Sequence, residues 1–257
     1  MNEHILTERI KTAVGQGRTA LIPFITAGFP EPRSFWSHLD GLDASGADII
    51  EIGVPFSDPV ADGPVVEAAS QKALTYGINL RWILEGLGER AGKYRAALVL
   101  MGYYNPFLQY GLERFARDAA AVGVAGCVVP DLPLGEDEKM RAVLSENGMA
   151  LVPLVGVNTS EERMAEYARV ASGYAYLVSV LGTTGMRSSF PPELEAAFTR
   201  ATKAFSIPVA IGFGISKPEQ VEAMPIDPEA VVFGSALLRH LENGGTAEEF
   251  MGRWKTA

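Results

Sequence analysis

The 257-residue sequence holds one cysteine, Cys127, and three histidines, His4, His38 and His240. A lone cysteine excludes an intramolecular disulfide framework and a cysteine-based metal cluster, and it fits a reducing, cytoplasmic compartment. The histidines fall in predicted helical or terminal segments. They offer no metal-ligand spacing and no Ser–His pairing of a hydrolase triad, so no metal is expected. Basic residues are also scarce, with 22 Lys+Arg against 31 Asp+Glu for a net charge of −9. That balance argues against nucleic acid as a partner, because phosphate backbones are held by basic surfaces. No apolar run approaches the roughly 20 residues of a membrane span. The opening Met1-Asn2-Glu3-His4 is polar and acidic, unlike a signal peptide, so no membrane association is expected. What the chain does have is 47% hydrophobic residues, 27 glycines and 16 prolines, the composition of a folded globular protein with many tight connections.

Short apolar, β-branched runs bounded by Gly, Pro or Asp predict eight strands: Ala20–Thr26, Asp48–Val54, Ala96–Tyr103, Gly126–Pro130, Ala150–Val155, Tyr174–Leu181, Pro208–Phe213 and Ala230–Gly234. Their starts are 22 to 48 residues apart, too far for hairpins and suited to one strand plus one helix per unit. Amphipathic stretches fall in the gaps, at Ser34–Ser45, Gly111–Val122, Glu136–Asn147, Glu161–Ala171, Pro192–Phe205 and Pro218–Met224. The widest gap takes two helices, about Val65–Tyr76 and Leu80–Ala91. A helix at Ile5–Gly15 precedes the first strand, and Ala236–Asn243 and Ala247–Trp254 follow the last. Strands such as Leu98-Val99-Leu100-Met101 are apolar on both faces, as parallel strands buried on both sides are. With no linker or composition break, the expectation is an α/β fold. It is a single (β/α)8 TIM-type barrel domain spanning residues 1–257, with an extra N-terminal helix and extra helices after strands 2 and 8. An open doubly wound sheet is the alternative.

Barrel chemistry sits at the C-terminal ends of the strands. In Asp48-Ile-Ile-Glu51-Ile-Gly-Val54, alternation puts Ile50 and Ile52 on one face and Ile49, Glu51 and Gly53 on the other. With the isoleucines toward the helices, Glu51 points into the barrel, where burial raises a carboxyl pKa toward the range useful for acid–base work. The structural alternative is an interior ion pair, but no Lys or Arg falls in any of the eight runs. The loop that follows, Pro55-Phe-Ser-Asp58-Pro59-Val-Ala-Asp62-Gly63-Pro64, is restricted by its prolines. Asp62 stands just ahead of Pro64, so helix capping and catalysis are both open for it. Asp58 reads as a loop-shaping residue.

Strands 6, 7 and 8 run into Gly182-Thr-Thr-Gly185, Gly212-Phe-Gly214-Ile-Ser216 and Gly234-Ser235-Ala236. Small-residue turns at helix starts let backbone N–H groups approach an anion, and the last two loops are the recurrent phosphate site of such barrels. The segment 182–189 reads as a lid. No lysine lies in a strand run, which argues against a Schiff base. Carboxylates are left to carry the chemistry, with Tyr103, Tyr104, Tyr174 and Tyr176 as candidate helpers. For the last two, core packing is the ordinary role.

Together these segments resemble the tryptophan synthase α-subunit family over nearly the whole chain. The most specific string is Glu51-Ile-Gly-Val-Pro-Phe-Ser-Asp-Pro-Val-Ala-Asp-Gly-Pro64. Tyr104-Asn105-Pro106, Val129-Pro-Asp131-Leu-Pro133, Gly182-Thr-Thr-Gly185, Gly212-Phe-Gly-Ile-Ser216 and Gly234-Ser235 follow in the family order. The resemblance implies reversible retro-aldol cleavage of indole-3-glycerol phosphate to indole and glyceraldehyde 3-phosphate. Glu51 matches the general acid/base and Asp62 the carboxylate that accepts the indole N–H. Gly185, Gly214, Gly234 and Ser235 match the phosphate cradle. Phe24, Tyr176 and Phe213 match residues around the indole ring, and Thr184 the lid threonine that meets Asp62. The resemblance also implies docking on a β subunit in an α2β2 assembly through Pro55, Asp58, Asn105 and Pro133, with indole passing through a tunnel. No cofactor belongs to this chain; the pyridoxal phosphate (PLP) is the partner's. Phe29 stands where many members carry Asp. Three other readings remain at this point: a phosphosugar isomerase, a regulatory subunit, and a stand-alone indole-3-glycerol-phosphate lyase.

Overall fold

A computed structural model describes residues 3–178, 193–212 and 214–254. Its strands are β1 (Ala20–Thr26), β2 (Ile49–Gly53), β3 (Ala97–Met101), β4 (Val124–Val128), β5 (Ala150–Leu151), β6 (Leu154–Gly156), β7 (Ala175–Val178), β8 (Val209–Gly212) and β9 (Ala230–Phe233). All pairings are parallel, in the order β5-β4-β3-β2-β1-β9-β8-β7-β6. The two ends of that order are consecutive in the chain. The predicted fifth strand is split because Pro153 has no N–H to donate to a ladder. Around the break the Val152 N–H still donates to the Cys127 carbonyl and the Tyr176 N–H to the Pro153 carbonyl, both at 2.9 Å. The nine segments are therefore eight staves of a (β/α)8 barrel.

The helices are α1 (Ile5–Gly15), α2 (Pro32–Ala44), α3 (Pro64–Thr75), α4 (Leu80–Gly88), α5 (Tyr104–Tyr110), α6 (Leu112–Ala121), α7 (Glu138–Glu146), α8 (Glu161–Ala168), α9 (Glu193–Ala204), α10 (Pro218–Glu222), α11 (Ser235–Glu242) and α12 (Ala247–Gly252). Sequence reasoning takes Tyr104-Asn-Pro106 as a motif and misses α5. Pro106 is tolerated because the first turn leaves its N–H groups unpaired anyway. No helix among the described residues is long and apolar enough to cross a membrane.

Strand alternation sorts the core into two shells. Ile50 and Ile52 join the shell between strands and helices, while Ile49 joins an interior cluster with Ile22, Val99, Val128 and Val232. α1 contributes Leu6 and Ile10 to that interior cluster and so plugs the N-terminal mouth of the barrel. Each such fully buried aliphatic side chain contributes about 1.5–3 kcal/mol. The plug leaves the opposite, C-terminal mouth for chemistry. Phe29 is buried at 3% exposure, with the Lys72 ammonium 5.4 Å above its ring.

Candidate active site

Glu51 lies at the centre of β2, fully buried at 0% exposure, in register with Phe24 of β1 and Val99 of β3. Its Oε1 accepts a 2.6 Å hydrogen bond from the hydroxyl of Tyr174, itself fully buried, and Oε2 has no partner among the described residues. Burial pushes the carboxyl from 4.5 up to about 7, against the smaller opposing effect of the Tyr174 hydrogen bond. The expected interior placement is thus correct, and the partner is a phenol, with no cation in that role. Desolvation by burial, and then the adjacent carboxylate, hold the Tyr174 phenol well above its ordinary range. Sequence reasoning offers Tyr174 both as a helper of the carboxylates and as a packing residue; the structure gives it the hydrogen bond to Glu51.

Asp62 sits half-buried in the loop after β2. It does not cap α3: the N-cap is Gly63, with no side-chain cap bond, and Pro64 opens the helix. Instead Asp62 lines an open cleft together with Phe24, Gly53, Val54, Tyr103 and Pro130. Burial raises its carboxyl from 3.8 to about 6, with a hydrogen bond from Tyr103 opposing and the charge of Glu67 adding. The Tyr103 oxygen accepts the Ala61 N–H at 2.8 Å and its ring stacks on Phe56 at 5.2 Å, so Tyr103 fixes the loop that carries Asp62. Glu51 does not line this cleft; it lies one strand layer below Gly53. The structure therefore seats one acid at the cleft and the other directly beneath it.

Two aromatic side chains spread over glycines of neighbouring strands. A Cβ on Gly53 would come within 2.5 Å of the Phe24 ring, and one on Gly234 within 2.8 Å. A Cβ on Gly212 would overlap the Tyr176 ring. Phe24 and Tyr176 thus lie across the inner wall near Glu51, and burial, with the Glu51 charge adding, raises the Tyr176 phenol well above its ordinary range.

At the far side of the mouth Gly214 has φ +43 and Gly234 is the N-cap of α11. That cap has no side-chain hydrogen bond, and Ser235 is the first helical residue, half-exposed. An α-helix whose first N–H groups lack a side-chain acceptor is a ready seat for an anion. Ser216 is different from expectation: its N–H and hydroxyl both donate to Gln220 Oε1, at 2.7 and 2.8 Å, and serve the start of α10. Phe213, Thr184, Gly185 and the predicted lid 182–189 lie outside the described residues.

The residues expected to dock a partner cluster on one rim. Asp58 is exposed and bonded locally to Ser57, Asn105 and Pro133 are exposed, and Pro55 is buried beneath them. Asp131 accepts the Tyr104 N–H at 2.9 Å and ties the start of α5 to the loop that contains Pro133. Val60 in the loop after β2, at 85% exposure, and Leu108 in α5, at 48%, are exposed apolar residues.

Comparison with known proteins identifies the family. The sequence model of one family, the tryptophan synthase alpha chain, matches residues 10–255. The tryptophan synthase alpha chain of Nitratidesulfovibrio vulgaris (strain DP4) is 62% identical over 254 residues, covering 99% of both chains. Among solved structures, a Mycobacterium tuberculosis tryptophan synthase superposes with a TM-score of 0.89 at 31% identity, covering 98% of each chain. A chain of the tryptophan synthase complex from Pyrococcus furiosus gives 0.80 at 34% identity, covering 91% of this chain and 94% of that one. A match of this extent in sequence and in fold assigns the molecule: the chain belongs to the tryptophan synthase alpha chain family.

Proposed function

We propose that Glu51 and Asp62 carry the family's lyase reaction in this chain, the reversible cleavage of indole-3-glycerol phosphate to indole and glyceraldehyde 3-phosphate. The observation that carries the assignment is the buried Glu51 carboxyl, poised at about 7 by desolvation, beneath a cleft lined by Asp62. The bond to be broken joins ring carbon C3 to the glycerol carbon. Protonated Glu51 turns from Tyr174 toward the cleft and gives its proton to C3. Positive charge then develops at the ring nitrogen, where ionised Asp62 accepts the N–H and stabilises it. The resulting Glu51 carboxylate takes the proton of the glycerol hydroxyl next to the bond, the C–C electrons return to the ring, and indole and the aldehyde separate. One group serves as acid and then base, so protons balance within the step.

Phe24 and Tyr176 flank the ring, joined by Phe213. Gly214, Gly234 and Ser235, with Gly185, hold the phosphate through backbone N–H groups and the α11 terminus, which suits an anion on a chain of net charge −9. Thr184, outside the described residues, is assigned the contact with Asp62 that the family resemblance implies. The chain acts as one barrel domain, residues 1–257, in the cytoplasm. It works with a β subunit, and we propose an α2β2 assembly docked through Pro55, Asp58, Asn105 and Pro133. PLP chemistry is the partner's: every lysine among the described residues lies in a helix or a loop, away from the barrel interior.

The test is direct. Incubation of the pure chain with indole-3-glycerol phosphate should release indole slowly alone and much faster with a β subunit. Glu51→Gln and Asp62→Asn should each abolish release while leaving the circular dichroism spectrum unchanged. No indole under either condition, or near-full turnover in Glu51→Gln, would refute the assignment.

A further inference from the structure

Among the polar side chains that line the cleft beside Asp62 and that the mechanism above does not use, one is left without a partner among the described residues. Thr26 ends β1 two residues beyond Phe24, so both side chains leave the strand on its inner face. Thr26 is 1% exposed and lines the cleft, and its Oγ1 is buried with no hydrogen-bond partner among the described residues. The neighbouring polar groups are engaged. Ser70 Oγ accepts the Phe56 N–H at 3.2 Å, and Tyr103 is held by Ala61 and Asp62. A valine has the same branched shape without the cost of burying an unpaired hydroxyl, so nothing in the packing calls for threonine here. A site that keeps such a group unpaired gains from it only when a ligand completes the bond.

We infer that Thr26 is a binding residue for the indole half of the substrate, its hydroxyl oxygen accepting a hydrogen bond from the ring N–H that Asp62 also receives. The inference rests on the substrate reading above. The remaining walls of the cleft include Val54, Val66, Met101 and Pro130, an apolar lining beside the hydroxyl. The only hydrogen-bonding group on an indole ring is its N–H, so a hydroxyl facing that ring meets the N–H or stays unpaired. With two acceptors, one charged and one neutral, the ring has one productive orientation relative to Glu51 below.

Equilibrium binding of indole and of benzofuran, which has oxygen in place of the N–H, is measured by calorimetry on the full chain with its β subunit. Wild type, Thr26→Val and Thr26→Ser are compared. Thr26→Val should weaken indole binding about 5- to 10-fold, the worth of one neutral hydrogen bond. Thr26→Ser should stay close to wild type, and benzofuran should bind all three alike. The melting temperature of Thr26→Val should be unchanged or higher, because no protein partner is lost. Equal weakening for both compounds, unchanged indole binding in Thr26→Val, or a lower melting temperature with unchanged binding would each overturn the inference. Because binding is read without turnover, failure of the cleavage reaction in wild type would refute the assigned activity separately from the role of Thr26.

Discussion

Replacing Glu51 by glutamine measures what it costs to keep an acid inside the barrel. The carboxyl is fully buried and titrates at about 7 instead of 4.5, because desolvation outweighs the Tyr174 hydrogen bond. Below 4.5 the group is protonated in folded and unfolded chains alike and adds no pH dependence. Between 4.5 and 7 the unfolded chain releases the proton while the folded chain keeps it. The folded state then binds more protons, so stability falls as pH rises, and above 7 the loss is complete. At about 1.4 kcal/mol per pH unit, the window amounts to about 3 kcal/mol. Glu51→Gln keeps an oxygen for Tyr174 and places an amide where Oε2 has no partner among the described residues; that penalty is the same at every pH. Asp62, also raised by burial, is present in both proteins and cancels in the difference. Urea unfolding across roughly pH 4.5 to 8 should therefore show the variant gaining about 3 kcal/mol on wild type as pH rises, with equal m-values. Parallel curves would show that Glu51 carries no raised carboxyl, and the argument for it as a neutral-pH acid would fall.

Cleavage should have a bell-shaped pH dependence between about 6 and about 7, since Asp62 must be ionised and Glu51 protonated. Tyr174→Phe removes the hydrogen bond that favours the Glu51 carboxylate, so the alkaline limb of the rate profile should move to higher pH while the acid limb stays; movement of the acid limb instead would contradict the assignment. Gly234→Ala should lower stability by about 1–3 kcal/mol in urea and raise KM for the phosphorylated substrate, because the new methyl lies 2.8 Å from the Phe24 ring at the start of α11. Val60→Glu, at an exposed apolar residue of the loop after β2, should weaken association with the β subunit in sedimentation while leaving the melting temperature of the free chain unchanged.

What could be read from the sequence divides along local and non-local causes. Glu51 is legible because its position depends on strand alternation and on the isoleucines either side of it, both written within β2. The eight staves are legible for the same reason, since each is a run of buried residues bounded by its own turn signals. The misses have partners far away in the chain. Gly126 reads as the start of a strand but lies inside β4. It is glycine because a Cβ would come within 2.8 Å of the Ala150 carbonyl and 3.1 Å of Leu6 in the plug helix α1, contacts no local pattern announces. Tyr174 and Tyr103 are named from the sequence as helpers of the carboxylates, but Tyr174 is 123 positions from Glu51 and Tyr103 is 42 from Ala61, so which group each holds is decided only once the barrel closes. Asp62 shows the converse. Its local sequence allows a helix cap, and the cap is vacated because Gly63 takes that position, which leaves the carboxylate at the cleft. Motif residues that serve the backbone are readable in isolation. Residues that tune an acid are defined by what the fold brings against them, and that is where a sequence reading of this active site has to stop.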